Sequence, residues 1–547
     1  MLLFTRFGKA DILDMFDLSF KGAFTRMTPP EIQGRPGRKR CILLALYTFF
    51  VLFAFAVLKV PSAQYLPKWF LLIAAVCALL CPLILRRAGQ LSLAAPAADE
   101  ASSRKWAIVF FAVPLICFLF KYIVYWPGAF MADSTVQYGQ AVTGNYDNWH
   151  PVIHTLLFFR LPLLLSGGWN GSIVLFQIIL FSLALSYAFT TLRRIAGVRF
   201  ALISLAFVLL NPETTNLAVF PVKDTAFGIG ALVLVSFTLR IFFSSGEWIR
   251  KPLNLLAFAA VLALTALVRH NGVLFAVPLL FALCLLIPWK RFLALAACFA
   301  VLFCGIRFPL YSTLKAETKA SPAFETLGVP LTVILACAKY APETLDAETA
   351  QFVADLIPAE ELDAVEPLQD FNAIKYNPKT NIPLIGEYGA GRILPMAARC
   401  FIHAPLASFR SLIGVTDVVY TLTDDYNYCD YPRTSSNEYG LGMQGIPVLQ
   451  NLCNKLSGVL NLTFPWLFMY VGAMHFALLV LILAKCGFRT KNGWRKILAV
   501  LPVFVYNGGT ALLLSGLKDS SRYFAYTFWL TPFLAALLLR DEIRGNT

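Results

Sequence analysis

Two short runs hold the side chains best suited to chemistry. The first reads Asp133-Ser134-Thr135-Val136-Gln137 and continues to Gln140. The second reads Asn148-Trp149-His150-Pro151-Val152-Ile153-His154. A helix beginning near Ser134 places Asp133, Gln137 and Gln140 at i, i+4 and i+7, near one face. Asn148 suits a cap and Pro151 a first helical turn, so His150 and His154 project from the start of the next helix. Asp133 has two readings, a helix cap or a carboxylate acting as general base, and the two are compatible. The histidine pair lacks the glutamate of a zinc-hydrolase HExxH motif, because Pro151 follows His150. Trp149 and the two histidines fit stacking on, and hydrogen bonding to, a polar substrate.

Three further clusters add cations. Lys223-Asp224 follows the Asn211–Val222 stretch, Arg269-His270-Asn271-Gly272 separates two apolar runs, and Lys518-Asp519-Ser520-Ser521-Arg522-Tyr523 precedes the last. Lys223 suits a phosphate, helped by the positive end of the helix it opens, while Asp224 also suits a helix cap. Arg269 has a bland reading as a snorkelling side chain. Together these residues describe a cavity with carboxylates and several cations, matched to a phosphate or pyrophosphate ligand whose lipid tail lies between helices. No P-loop or G-x-G-x-x-G context points to a soluble nucleotide sugar, and no Cys/His cluster has zinc spacing.

The elements that carry these loops are membrane spans. The 547 residues are 58% hydrophobic and only 14% charged, with a mean hydropathy of +0.67. That balance excludes a soluble globule, a nucleic-acid-binding module and a disordered chain. Runs long enough to cross a bilayer, alone or paired, stand at 41–59, 67–85, 106–125, 171–191, 200–211, 225–243, 253–268, 272–288, 292–309, 464–485, 497–515 and 523–540. The expectation is an all-α polytopic protein of about 12 transmembrane helices. The basic clusters Arg35–Arg40, Arg86-Arg87, Arg193-Arg194, Arg250-Lys251, Lys290-Arg291 and Lys485–Lys496 fall on one side only if 152–166 does not cross. That segment therefore reads as a re-entrant or surface helix.

The implied organisation is a cytoplasmic segment 1–40, a transmembrane core 41–309 with a first outer loop at 126–170, an extracytoplasmic domain 310–463 and C-terminal transmembrane helices 464–547, with both termini cytoplasmic. Residues 310–463 carry seventeen acidic and ten basic side chains, a net of −7 against +15 for the whole chain. They read as mixed but mainly helical, with a loop at 421–445. Cys429 and Cys453 fall there and are a candidate disulfide in an oxidising compartment.

The motifs Phe130-Met-Ala-Asp133-Ser134-x-x-Gln137, Asn148-Trp149-His150-Pro151-x-x-His154, Lys223-Asp224, Arg269-x-Asn271-Gly272 and Arg522-Tyr523 resemble those of an uncharacterised bacterial family of large membrane proteins. That family is in turn similar to the GT-C glycosyltransferases, which include protein mannosyltransferases and aminoarabinose transferases. The resemblance spans about 105–545. It implies a membrane enzyme that takes a sugar from a polyprenyl-phosphate donor, among membrane lipids, and passes it to a glycan, lipid or protein acceptor of the cell envelope on the outer face. It implies Asp133 as the catalytic acid of the first outer loop, with Gln137, Trp149, His150, His154, Lys223, Asp224, Arg269, His270, Arg522 and Tyr523 around the substrates. This chain has Asp-Ser where many GT-C enzymes have Asp-Glu or Asp-Asp. The second carboxylate, and with it any divalent cation, stays open between Asp147 and Asp224. A transporter or flippase of lipid-linked or anionic substrates, and a non-catalytic envelope scaffold, are the alternatives.

Overall fold

The computed structural model describes residues 37–59, 68–93, 104–316, 323–365, 371–422, 431–514 and 521–540. Both termini, Cys429, Lys518 and Asp519 lie outside the described residues. Among the described residues there is no strand. Turns of four residues or fewer aside, the helices are α1 (Arg38–Lys59), α2 (Lys68–Gln90), α3 (Arg104–Val124), α4 (Ala132–Thr143), α5 (Val152–Leu165), α6 (Gly171–Leu210), α7 (Pro212–Leu217), α8 (Lys223–Phe243), α9 (Pro252–Leu267) and α10 (Val273–Ala282). There follow α11 (Trp289–Thr313), α12 (Ala323–Tyr340), α13 (Ala347–Leu356), α14 (Ala359–Ala364), α15 (Ile382–His403), α16 (Pro405–Thr416), α17 (Pro447–Thr463), α18 (Val471–Lys485), α19 (Lys491–Leu513) and α20 (Tyr526–Leu539).

The chain is a polytopic helical membrane protein. Seven of the described helices, α1, α2, α3, α6, α8, α11 and α19, are long and apolar enough to cross a membrane. Five shorter apolar helices accompany them: Val152–Leu165, Pro252–Leu267, His270–Leu285, Val471–Lys485 and Tyr526–Leu539.

Three of the expected runs take a different form. The runs at 171–191 and 200–211 belong to one 40-residue helix, α6, broken at Gly197 (φ 82°, ψ 165°). Glycine tolerates that left-handed backbone, and the break separates a long helix from a short one. The run at 464–485 is interrupted after Phe468, where Pro465 opens a single turn and α18 starts only at Val471. The segment at 152–166 is α5, an apolar helix whose middle, Thr155–Arg160, widens into a π-turn.

Basic side chains gather at one end of the bundle by capping carbonyls of neighbouring helices. Arg40 donates to the Leu483 carbonyl (3.1 Å), Lys485 to Gly89 (2.9 Å), Arg495 to Leu285 (2.8 Å), Lys496 to Arg540 (2.8 Å) and Arg540 to Ile195. Orphan carbonyls at helix C-termini favour such cations. The other end of the same bundle holds the loops singled out above. Between the two ends, α3, α6, α8 and α20 share an aromatic core, with Phe118 stacked on Phe181 at 5.0 Å and Phe181 against Trp529 at 4.5 Å.

A second hydrophobic core forms within the late insert. Leu331, Ile334, Phe352, Leu356, Phe371, Ile385, Ile393 and Met396 have no exposed surface. Its acidic residues face outward into ion pairs such as Arg392–Glu348 (2.9 Å) and Arg399–Asp346 (2.7 Å). This unit leans on the bundle, with α12 and α16 packed on α19 and α16 also on α1.

Candidate active site

The site begins with a pair of loops pinned together. The Ala129 amide donates to the Val219 carbonyl at 3.0 Å, and the buried Ser134 hydroxyl donates to the Pro221 carbonyl at 3.0 Å. Ser134, which stands where a second carboxylate was sought, is thus the tie between the first and second loops. The tie brings Asp133 to Lys223. Helix α4 starts at Ala132 with Met131 at the N-cap, so Asp133 occupies the first turn and is not the cap. A carboxylate there is favoured by the helix dipole. Likewise Val222, not Asp224, caps α8, and Pro151, not Asn148, stands at the cap before Val152.

Asp133 keeps 31% of its side chain exposed and faces two cations. Its Oδ2 lies 3.4 Å from Lys223 Nζ and 3.2 Å from an Arg522 terminal nitrogen. Burial alone would raise the carboxyl pKa, but the charges of Lys223 and Arg522 overcome it and hold the group well below the ordinary carboxylate range. Lys223 also donates to His150 Nδ1 at 3.1 Å. Burial, with Lys223 alongside, pushes His150 down to about 3, so its ring is neutral.

Behind this exposed group lies a buried one. Arg269 pairs with Asp224, and the two side chains are 3% and 1% exposed. Arg269 Nε donates to Asn271 Oδ1 (2.6 Å), whose amide donates to Thr510 (2.7 Å). Arg522 links the groups, its Nε 3.6 Å from Asp224 Oδ2. Tyr523 lies against both guanidiniums, its ring centre 4.9 Å from Arg269 and 5.2 Å from Arg522. Two carboxylates against three cations leave a formal charge of +1 around a neutral imidazole. An anion is what such a site attracts.

The remaining expected residues fall into two sets. His270 is exposed and donates from Nε2 to the Asn148 and Trp149 carbonyls (3.1 and 3.3 Å), clamping the loop that displays Trp149. Trp149 is 39% exposed. Gln137 and His154, read from the sequence as substrate contacts, have no exposed surface. The Gln137 amide bonds His154 Nδ1 (2.9 Å) and the Thr155 hydroxyl (2.9 Å), and the His154 ring stacks on Phe158 at 5.0 Å. Burial lowers the His154 pKa to about 3. The pair fastens α4 to α5 beneath the site.

Asp224 is therefore the second acid beside Asp133, while Asp147 accepts from the Trp149 amide at 3.0 Å. Both near acids face cations instead of each other, with Arg522 between them. A divalent ion does not fit that arrangement without displacing Arg522. Among the described residues no three of His, Cys, Asp and Glu are grouped for metal binding.

Two features escaped sequence reasoning. Met131 places its sulfur 3.4 Å from Arg522, and Tyr506 sets its ring 5.7 Å from the Arg269 guanidinium. Tyr506 had one signal, its place beside Asn507 in an apolar run. The second feature is a late segment that covers the first loop. Ser435 donates to the Phe130 carbonyl (2.8 Å), Gln444 to Trp126 (2.7 Å) and Ile446 to Val124 (3.1 Å), an antiparallel course.

No family model and no curated protein matches the sequence. Among solved structures, it is similar to the S. cerevisiae protein O-mannosyltransferase Pmt1-Pmt2 complex bound to the sugar donor, at 16% identity and a TM-score of 0.31, over 44% of this chain and 39% of that one. It is also similar to ArnT from Cupriavidus metallidurans bound to undecaprenyl phosphate, at 15% identity and a TM-score of 0.33, over 80% of this chain and 77% of that one. The apo state of ArnT gives 15% identity and a TM-score of 0.33, over 79% and 76%. The chain thus spans well under half of the first of these and about three quarters of the other two.

Proposed function

We propose that the protein is a membrane glycosyltransferase that moves a sugar from a polyprenyl-phosphate donor to a cell-envelope acceptor. On this reading the site end of the bundle and residues 310–463 are extracytoplasmic, and the basic end is cytoplasmic. One observation carries the proposal: a partly exposed carboxylate, Asp133, flanked by Lys223 and Arg522 in a site of net positive charge.

The chemistry follows from those charges. The acceptor hydroxyl oxygen bonds to the anomeric carbon of the sugar, and the bond from that carbon to the phosphate oxygen breaks. The hydroxyl proton goes to Asp133, and the polyprenyl phosphate departs with an added negative charge that Lys223 and Arg522 stabilise. In the empty site those same cations make Asp133 a weak base. A bound phosphate shares them, which raises the affinity of Asp133 for a proton when the base is needed. Trp149 offers a ring face to the sugar and neutral His150 a hydrogen bond. Asp224 and Arg269 fix Arg522 and Tyr523, and Gln137 with His154 fixes the height of α4.

The test is turnover by purified protein in lipid nanodiscs supplied with radiolabelled polyprenyl-phosphate sugars. Asp133→Asn is expected to lower sugar release or transfer by about a hundredfold or more, with thermal stability retained. Equal turnover by both proteins overturns the base assignment. No turnover by either, with equal donor binding, moves the function to transport or scaffolding.

A further inference from the structure

A cleft of about 500 Å³ runs along the flank of α4, closed on its far side by residues 436–439. Its wall includes the carboxylates Asp147 and Glu438 and the amides Gln140, Asn145 and Asn437, and it includes no Lys or Arg. Its charge is opposite to that of the Asp133 site. Tyr439 lies directly on Gly139, where a Cβ would stand 2.3 Å from the phenol oxygen. Glycine at 139 is what lets the ring come down against the helix, and the ring stays 36% exposed.

Gln140 is the informative residue. It is only 6% exposed, and neither end of its amide has a hydrogen-bond partner. A buried amide left unpaired at both ends is unfavourable. Both amide atoms lie just beneath the cleft wall with almost no accessible surface, so a turn of the side chain into the cleft gives them a ligand's hydroxyls as partners. Gln140 also lies nearly two helical turns from Asp133 on the same side of α4, about 10 Å along the axis.

We propose that this cleft binds a saccharide, uncharged or cationic. Gln140, Asn145 and the two carboxylates bond its hydroxyls, while Asn437 is spent on bonds within its own loop, and the Tyr439 ring covers a C–H face. The two carboxylates repel an anionic ligand. Resting on the glycosyltransferase reading, this saccharide is the acceptor, held so that one hydroxyl reaches Asp133 while the donor phosphate occupies the cationic site.

The test uses the full-length protein in nanodiscs and saturation-transfer NMR with free glucose, galactose, mannose, N-acetylglucosamine and glucosamine. At least one sugar is expected to bind the wild type. Gln140→Leu is expected to weaken it at least tenfold, and Glu438→Gln severalfold. Because Gln140→Leu removes an unpaired amide, its unfolding midpoint is expected to hold or rise, whereas a merely structural glutamine predicts a fall. Binding of none of the five sugars, or equal binding by Gln140→Leu, overturns the proposal. Polyprenyl-phosphate binding is measured on the same samples. If the wild type binds sugar but no polyprenyl phosphate, the glycosyltransferase reading fails and the cleft assignment stands.

Discussion

At the scale of single residues, Lys223 carries two duties that separate experimentally. On the proposed function it holds the donor phosphate, and its charge lowers the Asp133 pKa. Lys223→Met is expected to raise the donor KM by about tenfold, the order of one lost charge-assisted hydrogen bond. Loss of its positive charge must also raise the Asp133 pKa, so the acid limb of the kcat/KM profile shifts to higher pH. A KM effect without that shift would remove Lys223 from the neighbourhood of the base. Arg269 answers to a different measurement. Arg269→Leu leaves Asp224 charged and buried, which costs about 3–5 kcal/mol. The double variant Asp224→Leu with Arg269→Leu is expected to unfold later than either single one, checked by thermal unfolding in lipid. Asp133, Lys223, Arg269 and Arg522 were legible in the sequence because a charge at a membrane edge is expensive and conspicuous. Met131 and Tyr506 were not, because an uncharged side chain in an apolar run carries no such flag.

At the scale of elements, the position of α4 decides the chemistry, and few contacts set it. Ser134→Ala removes the bond to Pro221 and leaves a buried carbonyl unpaired, at about 1–3 kcal/mol. The expected result is a kcat about tenfold lower, with less change in donor KM, since the cations stay in place. An unchanged kcat would show that α4 holds its register without the tie. The apolar runs predicted the helices themselves, because spans announce themselves by length and composition. The division between 171–191 and 200–211 was expected, though not its seat at Gly197, and the interruption after Phe468 was missed. Each depends on one residue, glycine in a left-handed conformation or proline opening a turn, inside a run that still averages apolar.

For the whole molecule, the buried neutral histidines link stability to pH. His150 and His154 sit at about 3 when folded and near 6.5 when unfolded. Their contribution is fully present above about pH 6.5 and is lost as the pH falls toward 3, because the unfolded chain then binds protons that the folded one does not. Each contributes a slope of up to roughly 1.4 kcal/mol per pH unit. Asp133 changes little between pH 5 and 7, since the stability from its lowered pKa is lost only as the pH falls below about 5. Unfolding in lipid is expected at lower temperature at pH 5 than at pH 7, and His154→Gln is expected to flatten the dependence. A midpoint flat between those values would mean that the imidazoles are solvated. The convergence of distant loops was legible in outline from charge alone. The cover formed by residues 434–446 was not, because those contacts are mostly between backbones, which any sequence can supply.

That cover sets a schedule for biosynthesis. The first loop meets Thr434 across 304 positions of chain, and Asp133 meets Arg522 across 389. The ribosome therefore releases the carboxylate long before the cation that restrains it, and α4 waits at the membrane surface through the insertion of every intervening helix. A chain stopped short of Arg522 has the acid and the first cation but not the second. On the proposed function, such a chain lacks one of the two cations that stabilise the departing phosphate until the last helix has entered the bundle.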